Sequence, residues 1–422
     1  MATTEIAPIR AALPDSDEVQ SGVLRFIGWL HRFGETSYDY QSYFSSRLGG
    51  AAKALYFKNP LLGAPFVAPM IFSEAFVPSA RCLFGKRQRF PIADAHYAMG
   101  FAYLSQACND DQYYLRALHF LQVLQDTRCE GYQHYCWGYP FNWETRYGTM
   151  KAGTPLITTT PYVYEAFLRV HQIDGNTKWM EIMHSIAEHT LLDYHEVATS
   201  DRAASCSYNP EPDCPCFVVN ASAYRAFLLT RAAFDFSDPR YAKAAERNLN
   251  YVLESQNADG SWRYATDGGR DFIDHYHTCF VLKALTKIEA LTGNDACTQA
   301  IERGVRYYLA NLFDDGGQPK PFARRPRLTV YRRELYDYAE CINLAILLRG
   351  RFPALDMALT QVIDLTTWQK PDGSFRSRQL FVGWDNTPMH RWAQAQFFRS
   401  LCFLLWTRAQ TTENDSGTTI GR

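Results

Sequence analysis

Along most of the chain, apolar residues recur with the period of an α-helix. After Pro239, for example, Tyr241, Ala245, Leu249 and Val252 repeat at helical spacing. Short polar turns that carry helix-stopping and N-capping residues interrupt the periodic stretches. Five of these turns recur at similar intervals: Asn109-Asp110-Asp111, Asp174-Gly175-Asn176, Ser237-Asp238-Pro239, Thr292-Gly293-Asn294 and Arg351-Phe352-Pro353. We therefore predict five helical hairpins, because short turns join antiparallel neighbours.

The two ends of the chain provide a sixth hairpin. Helices are expected near Glu18–Phe33 and Pro388–Thr407, and pairing the first with the last would bury the apolar faces of both. This predicts an all-α fold, a closed (α/α)6 toroid of helical hairpins that forms one domain over residues 18–409. Residues 1–17 and 410–422 are predicted to be disordered tails. An open helical solenoid is the alternative architecture.

Connections between hairpins are long, whereas connections within hairpins are short. The long ones are Arg128–Thr160, Asp193–Phe217, Asn257–Phe272, Asp314–Glu334 and Lys370–Thr387. A toroid gathers these connections on one face, and loops on a rigid scaffold commonly carry function. We therefore expect a functional site on the face that bears the long loops.

Composition narrows the chemistry. The 422 residues include 21% charged residues and carry a net charge of -1, which gives no electrostatic footprint for nucleic acid. Aromatic residues make up 15%, which suits a large aromatic core or a wide site whose rings stack on sugars or isoprenoids. Met1–Gln20 lacks the apolar segment of a signal peptide, and the 11 cysteines are irregularly spaced. These features predict a cytoplasmic protein with mostly reduced thiols.

The sequence contains no apolar stretch of the length that spans a membrane. The nearest candidate, Leu61–Val77, is interrupted by Gly63, Pro65, Pro69 and Glu74. We expect this stretch to be an extended segment that lies on the fold, with contact to a membrane surface as the less favoured interpretation.

The first long connection is rich in aromatic residues. Trp and Tyr rings stack on the C–H faces of sugars, and Arg can hold a carboxylate through two hydrogen bonds. A structured loop that plugs the ring is the alternative. The candidate binding residues of this segment are Trp137, Tyr139, Trp143, Glu144, Arg146 and Tyr162.

A helix is expected to begin at Asp274, directly after a long connection, so its first turn should point at the site. The N-terminus of a helix attracts anions. Asp274 and His277 are three residues apart and share one side of the helix, where they can act as acid and base. His275 is a further binding candidate. The alternative is that Asp274 caps the helix and His277 makes a hydrogen bond in the core.

Polar residues also mark the starts of other inner helices. Asp337 and Glu340 begin the next one, and either would supply the second carboxylate that glycoside hydrolysis requires, with helix capping as the alternative. The remaining binding candidates are Asn220, Trp262, Asp385, His390 and Arg391. The motif Gln256–Trp262 recurs as Gln369–Phe375, and a structural repeat is its favoured interpretation.

The helical hairpins with their Gln-x-x-Asp-Gly-Ser-Trp linkers resemble the superfamily of six-hairpin glycosidases and of terpenoid cyclase or prenyltransferase toroids. More narrowly, Trp137–Thr160 and Phe272–Thr278 resemble uncharacterised toroid proteins encoded in bacterial exopolysaccharide gene clusters. The resemblance runs over most of residues 90–408. It implies a role in making or trimming a polysaccharide.

A second resemblance points to zinc-dependent prenyltransferases. Arg270–Phe272 and Tyr276–Cys279 are similar to the zinc-histidine segment of the β-subunits of protein prenyltransferases. That family has an Asp and a Cys two positions apart about one hairpin upstream. Here Asp213 and Cys216 are three apart, and Cys214 adjoins the Asp. Zinc is expected only under this alternative, and no metal or other cofactor under the favoured one.

These features predict a carbohydrate-active enzyme that acts on a polysaccharide or its oligosaccharide precursor in exopolysaccharide biosynthesis. Glycoside hydrolysis is the favoured reaction, with Asp274 and Glu340 as carboxylates and His277 as proton carrier. Polysaccharide lyase or uronosyl epimerase chemistry is the first alternative, with His277 or Tyr139 abstracting a proton next to a carboxylate. A non-catalytic glycan-binding scaffold is another. The sequence indicates no oligomeric state.

Overall fold

The computed structural model describes residues 15–326 and 329–417, and helices dominate it. In chain order the α-helices are α1 (Ser16–Phe33), α2 (Arg47–Lys58), α3 (Pro60–Phe76), α4 (Pro91–Cys108), α5 (Asp111–Asp126), α6 (Thr160–Asp174), α7 (Thr177–Leu192), α8 (Val219–Phe236), α9 (Pro239–Glu254), α10 (His275–Thr292), α11 (Asp295–Asn311), α12 (Leu335–Leu347), α13 (Pro353–Val362), α14 (Leu365–Trp368) and α15 (Ala395–Gly417). A 3₁₀ helix, Pro78–Leu83, follows α3, and a π-helical turn, His390–Gln394, leads into α15.

Six helices form a closed inner ring. Helices α4, α6, α8, α10, α12 and α15 each contact the next, and α15 returns to contact α4. Helices α5, α7, α9, α11 and α13 pack outside, each on the inner helix that precedes it, and α1 packs on α15. The predicted all-α (α/α)6 toroid is therefore confirmed. The first and last helices pair as the sixth hairpin, and the ring is closed rather than an open solenoid.

The predicted turns separate inner from outer helices. Four of them contain a residue in the left-handed conformation that commonly ends a helix. These residues are Asn109, Gly175, Ser237 and Gly293, with φ of 50°, 65°, 52° and 66°. Side chains of the next residue then accept a hydrogen bond from the first turn of the following helix, namely those of Asp110, Asn176, Asp238 and Asn294.

Apolar contacts between neighbouring helices close the ring. Inner helices such as α4 are buried over most of their circumference, whereas outer helix α9 buries one stripe that includes Tyr241, Leu249 and Val252. Gly100 lets α4 and α15 approach closely, because a Cβ atom at this position would lie 2.6 Å from the ring of Phe398. This contact joins the first inner helix to the last.

Short antiparallel strands lie on the face of the toroid at which the inner helices begin. They are β1 (Trp143–Thr145), β2 (Gly148–Met150), β3 (Glu196–Ala198), β4 (Ala204–Cys206), β5 (Ile273–Asp274), β6 (Phe322–Arg324), β7 (Tyr331–Glu334), β8 (Arg378–Leu380) and β9 (Trp384–Asp385). The pairs are β1–β2, β3–β4 and β5–β6, and β7, β8 and β9 form a three-stranded sheet. Strand β5 leads directly into α10, and Asp274 pairs with Phe322 in its register.

The segment between α1 and α4 differs from expectation. Leu61–Val77, predicted to be extended, lies almost entirely in helix α3. The side chain of Asn59 caps this helix, and Pro60 occupies its first position, where the missing N–H is not needed. Gly63 packs so closely on α2 that a Cβ atom would lie 2.3 Å from the backbone of Tyr56. Capping and packing thus permit a helix despite its two internal prolines.

The first and last helices extend beyond the predicted limits of the domain, residues 18 and 409. Helix α1 begins at Ser16, and α15 continues to Gly417, beyond the expected end at residue 409. Residues 1–14 and 418–422 of the predicted tails lie outside the part that the structure describes. Within the described residues, no helix combines the length and apolar character needed to cross a bilayer.

Candidate functional site

Asp274 and His277 form a pair at the start of α10. Asp274 occupies the N-cap position, but its side chain makes no capping hydrogen bond. Instead, its two carboxylate oxygens accept the N–H of His277 Nδ1, at distances of 2.9 and 2.7 Å. The side chain of Asp274 is 1% exposed and that of His277 is 17% exposed. The carboxylate therefore favours the imidazole tautomer with its hydrogen on Nδ1, in which Nε2 carries the lone pair of a base.

A small cavity of about 10 Å³ adjoins this pair. It is lined by Val219, Asn220, Trp262, Arg263, Tyr264, Asp274, His277 and Val281. Asn220 is 2% exposed, and neither polar atom of its side chain has a hydrogen-bond partner among the described residues. The volume suffices for about one water. The amide of Asn220 offers such a water one acceptor and two donor hydrogens.

Aromatic side chains surround His277 at the end of the toroid where the inner helices begin, which we call the mouth. The ring centre of His277 lies 4.7 Å from that of Tyr264 and 4.4 Å from that of Tyr276. The ring centres of Tyr276 and Tyr336 are 5.2 Å apart, and those of Tyr336 and Trp392 are 5.5 Å apart. Tyr264, Tyr276 and Trp392 are partly exposed. The mouth thus presents the ring faces and edges that suit the C–H surfaces of sugars.

Asp337 is a buried acid next to the mouth. It lies in the first turn of α12, is 0% exposed, and neither carboxyl oxygen has a hydrogen-bond partner among the described residues. Burial raises the pKa of Asp337 well above its ordinary value, and the negative charges of Glu334 and Asp274 raise it further. Arg378 opposes this effect but forms an ion pair with Glu334 at 2.8 Å. Asp337 therefore keeps its proton to higher pH than an ordinary aspartate and can donate it.

Glu340 lies in a different environment. Its carboxylate forms a buried ion pair with Lys283 of α10. Lys283 also donates a hydrogen bond to the Tyr162 hydroxyl at 3.3 Å, and that hydroxyl bonds the hydroxyl of Tyr224 at 2.8 Å. Lys283 was not among the predicted site residues, although a lysine within the apolar run Phe280–Leu285 was a signal. Because a lysine holds the Glu340 carboxylate, Asp337 is the better proton donor of the two.

Trp137 and His275 do not reach the mouth. Trp137 is fully buried and donates its indole N–H to the carbonyl of Leu124 at 2.8 Å. His275 donates from Nδ1 to the carbonyl of Leu312 at 3.2 Å and accepts at Nε2 from the hydroxyl of Tyr308 at 2.6 Å. Burial lowers the pKa of His275 to about 3. Both side chains point toward the outer helices, which corrects their expected role in ligand binding.

His390 and Asp385 are also engaged within the fold. His390 accepts at Nδ1 from the hydroxyl of Tyr97 at 2.6 Å and donates from Nε2 to the carbonyl of Gly34 at 3.0 Å. Burial lowers its pKa to about 3. Asp385 is buried and forms an ion pair with Arg81 at 2.8 Å. The expected role of both residues in ligand binding is corrected, because internal partners occupy their polar groups.

Arg391 shapes the mouth without offering it a free charge. Its guanidinium donates to both carboxylate oxygens of Asp39, at 2.8 and 2.5 Å, and both residues are buried. The guanidinium also lies 4.3 Å from the ring centre of Tyr139 and 4.4 Å from that of Trp392. Arg391 therefore positions two aromatic rings rather than binding an acidic ligand. Asp39 comes from the segment before α2, for which the sequence analysis had no motif.

The strands β1 and β2 carry the candidates that remain open to solvent. Trp143 and Glu144 are partly exposed, and Arg146 is exposed. The ring centre of Trp143 lies 5.8 Å from that of Tyr139, and Glu144 accepts a hydrogen bond from the hydroxyl of Thr149 at 2.8 Å. This strand pair remains the part of the first long loop that is free to contact a ligand.

Trp262 belongs mainly to a structural repeat. Its indole N–H donates to the carbonyl of Val252 at 2.9 Å, although one side of the ring lines the small cavity. The two copies of the motif make the same internal bond, from a serine hydroxyl to the preceding aspartate, at 2.7 Å in each case. The favoured interpretation of this motif was therefore correct.

A second, larger cavity lies away from the mouth. It has a volume of about 390 Å³ and opens between α1 and α14, where it is lined in part by Arg25, Lys370 and Arg376. It contains no acid–base pair like Asp274 and His277. We therefore place the candidate site at the mouth despite the smaller cavity there.

Metal ligands are not grouped in the parts of the chain that the structure describes. Within residues 15–326 and 329–417, no three His, Cys, Asp or Glu side chains are placed to hold a metal ion. Nδ1 of His277 is bonded to Asp274, and Cys214 and Cys216 are free thiols. The structure thus does not assemble the zinc ligands of the prenyltransferase alternative from Asp213, Cys216 and His277.

Several solved structures are similar to this chain in fold. No protein-family model and no curated protein sequence matches the chain. A variant of UGL with the ligand dGlcA-Glc-Rha-Glc has a TM-score of 0.60 at 13% identity, covering 92% of this chain and 97% of that chain. Cellobiose 2-epimerase from Bacillus thermoamylovorans has a TM-score of 0.59 at 10% identity, covering 76% of this chain and 88% of that one. The GH76 α-mannanase of Bacteroides thetaiotaomicron has a TM-score of 0.55 at 10% identity, with coverage of 78% and 88%. These similarities establish the (α/α)6 toroid fold.

Proposed function

We propose that the chain is a carbohydrate-active enzyme that hydrolyses a glycosidic bond at the mouth of the ring. One observation carries the proposal. The pair of Asp274 and His277 adjoins a cavity with room for about one water and with the unpartnered amide of Asn220 in its wall. A base held by a carboxylate beside a water-sized space can activate a water for hydrolysis. The fold is also one on which an α-mannanase and a cellobiose 2-epimerase are built.

His277 acts as the general base in this proposal. Its Nε2 accepts a proton from a water that Asn220 positions, while that water attacks the anomeric carbon of the sugar. The carboxylate of Asp274 stabilises the imidazolium that forms, since it already accepts the N–H of Nδ1 at 2.7 Å. The rings of Tyr264, Tyr276 and Trp392 hold the sugar at the mouth.

Asp337 supplies the proton for the leaving oxygen. A general acid in glycoside hydrolysis needs a raised pKa, and burial gives Asp337 this property. We therefore assign Asp337 the part that the sequence analysis gave to Glu340. Lys283 holds the side chain of Glu340 in an ion pair one turn further into the ring.

Lyase or epimerase chemistry is the second candidate. The free Nε2 of His277 serves equally well to remove a proton from carbon next to a carboxylate or carbonyl group. A cellobiose 2-epimerase and a polysaccharide lyase are among the proteins with similar structures. This candidate differs from hydrolysis in its products, which contain no added water.

The biological setting is a further part of the proposal. We propose that the glycan is a bacterial exopolysaccharide or its oligosaccharide precursor, and the resemblance of Trp137–Thr160 and Phe272–Thr278 to toroid proteins of exopolysaccharide clusters supports this. We also propose a cytoplasmic location, which the eleven free thiols support. A non-catalytic scaffold would bind the same glycan without turnover.

Product analysis tests the reaction. We would incubate the purified protein with a panel of acidic and neutral oligosaccharides in ¹⁸O-labelled water and in deuterated water. Hydrolysis places ¹⁸O in the new reducing end, whereas epimerisation places deuterium on carbon. Elimination gives an unsaturated product that contains no added water and no ¹⁸O at the reducing end. We expect the ¹⁸O result.

Matched variants connect the reaction to the site. We expect His277→Gln, Asp274→Asn and Asp337→Asn each to lower kcat by about 10²–10⁴-fold, the range for loss of an acid–base group. The control is His119→Gln, which alters another histidine–carboxylate pair, with Glu35 at 2.9 Å on the outer side of the ring. Full activity of the His277→Gln variant would refute the proposed mechanism. Unchanged glycan affinity with no product from any substrate would favour the scaffold.

A further inference from the structure

The hairpin of α2 and α3 exposes an unusual apolar surface. Leu61 is 88% exposed, Phe66 59%, Phe72 62% and Phe76 55%. At 3.6 residues per turn these four residues lie within an arc of about 140° around α3. Gly63 and Glu74, which are buried, lie on the opposite side. Exposed apolar residues clustered in this way indicate a surface that binds something.

Positive charge surrounds this apolar surface. Between Arg47 and Arg89 the sequence contains seven Lys and Arg residues and a single acid, Glu74, whereas the whole chain has a net charge of -1. Glu74 is buried and forms an ion pair with Arg81 at 2.7 Å. The exposed cations of the segment are Arg47, Lys58 and Lys86, and none of them forms an ion pair with another described residue. Exposed basic and apolar residues therefore occur together in this segment, and its one acid is buried.

This combination matches an anionic lipid bilayer. A helix that lies in the membrane interface buries one apolar side among the acyl chains, while nearby Lys and Arg bind anionic headgroups. Helix α3, with 17 residues, is about 25 Å long, so it would lie in the interface plane. A symmetric contact with a second copy would bring two copies of this basic segment together and would be opposed by like-charge repulsion.

We propose that the α2–α3 hairpin docks the protein on the surface of an anionic bilayer, with the exposed side of α3 inserted among the lipids. The hairpin lies on the same face as the mouth, since α2 packs against β1 and Arg81 binds Asp385 of β9. Docking therefore brings the mouth to the membrane surface. If the proposed function holds, the glycan is one that is held at the membrane, and this last step rests on that function.

Vesicle binding tests the docking without any glycan, so its outcome is independent of the proposed reaction. The purified full chain is sedimented with vesicles of phosphatidylcholine alone or of phosphatidylcholine mixed with phosphatidylglycerol. We expect binding to the mixed vesicles, little binding to the neutral ones, and weaker binding as salt is raised. Absence of binding to the mixed vesicles would overturn the proposal.

Two variants separate the parts of the surface. We expect Phe66→Ser combined with Phe72→Ser to weaken vesicle binding at least tenfold, and Arg47→Glu combined with Lys58→Glu to abolish the preference for anionic lipid. The matched control is Phe234→Ser, because Phe234 is 64% exposed on α8, outside the hairpin. Equal vesicle binding by the double phenylalanine variant and wild type would overturn the proposal. A second result would also overturn it: wild type forms dimers and binds no vesicles, and the double phenylalanine variant is monomeric.

Discussion

Lys283 and Glu340 face each other from neighbouring inner helices and form an ion pair whose side chains are only 4% and 0% exposed. Deeper in the ring, Lys287 forms a second pair with Glu165. Charges are costly to bury, so such pairs persist only when each partner compensates the other. The centre of the toroid therefore contains buried ion pairs. The pairing with Lys283 explains the presence of Glu340 without a role in catalysis.

This explanation predicts the behaviour of variants at the pair. Glu340→Gln leaves the Lys283 ammonium buried without its carboxylate, and we expect the free energy of unfolding to fall by about 3–5 kcal/mol. Combining Glu340→Gln with Lys283→Met removes both charges and should recover most of that loss. Urea unfolding of the three proteins measures both effects. Activity distinguishes the two roles of Glu340, since a stable double variant without turnover would restore Glu340 as the catalytic carboxylate.

Asp337 leads to a different expectation. Its pKa is raised on folding, so above the unfolded value of 3.8 the folded state binds more protons than the unfolded state. Stability is therefore lost as pH rises from that value towards the folded pKa, by about 1.4 kcal/mol per unit of pH. Asp337→Asn removes this loss, and we expect the variant to match or exceed wild-type stability at neutral pH. Parallel unfolding measured at acidic and neutral pH checks the sign.

Although Asp337→Asn should not lower stability, we expect it to lower the rate of turnover. A protein that is as stable as wild type but turns over glycan far more slowly is the result expected for a general acid. A variant with normal turnover would leave Asp337 as a buried acid without a role in the reaction, and the proposed mechanism would lack its proton donor.

The fold was predictable because its signals are local. Helical period, the polar turns and the Asp or Asn caps lie within a few residues of the features that they determine. The alternation of short and long connections then predicted the face on which the long loops and the candidate site lie. Asp274, His277 and Asn220 were identified because they stand at the starts of inner helices, which the chain order alone indicates.

The roles of the other candidate residues depended on the orientation of their side chains and on partners distant in sequence. His275 and His277 are two residues apart, yet one is turned to the outer helix and the other to the mouth. Arg391 seemed suited to an acidic ligand, but Asp39, 352 positions away, neutralises it. Helical spacing does not tell which side of a helix faces the ring centre when both sides are buried. The segment before α4 also lacked a repeat pattern from which its contacts could be inferred.

The buried histidines predict how the fold responds to acid. His275 and His390 have pKa values lowered to about 3, whereas an unfolded histidine titrates near 6.5. Between these values the unfolded state binds more protons, so stability is lost as pH falls below about 6.5. From about pH 6.5 to pH 5 each histidine should cost about 2 kcal/mol. We expect His275→Gln to be less stable than wild type at neutral pH but to lose about 2 kcal/mol less over this interval.

Unfolding by urea across this pH range measures the difference in slope. Above about pH 7 the wild-type and His275→Gln curves should run parallel, which provides an internal control. Equal slopes below pH 6.5 would show that His275 is not the buried neutral group that the structure describes.

Two tryptophans of the first long loop separate packing from ligand binding. Trp137 is fully buried and bonds the carbonyl of Leu124, whereas Trp143 is partly exposed beside Tyr139. We expect Trp137→Ala to lower the free energy of unfolding by about 3–5 kcal/mol, as large core truncations do. Trp143→Ala should change stability little but weaken glycan affinity by about 1–2 kcal/mol through the lost ring contact. Calorimetric titration with the substrate found in the product screen, together with thermal unfolding, compares the pair. Unchanged affinity in Trp143→Ala would exclude the β1–β2 strands from the binding surface and confine the glycan to the rings around His277.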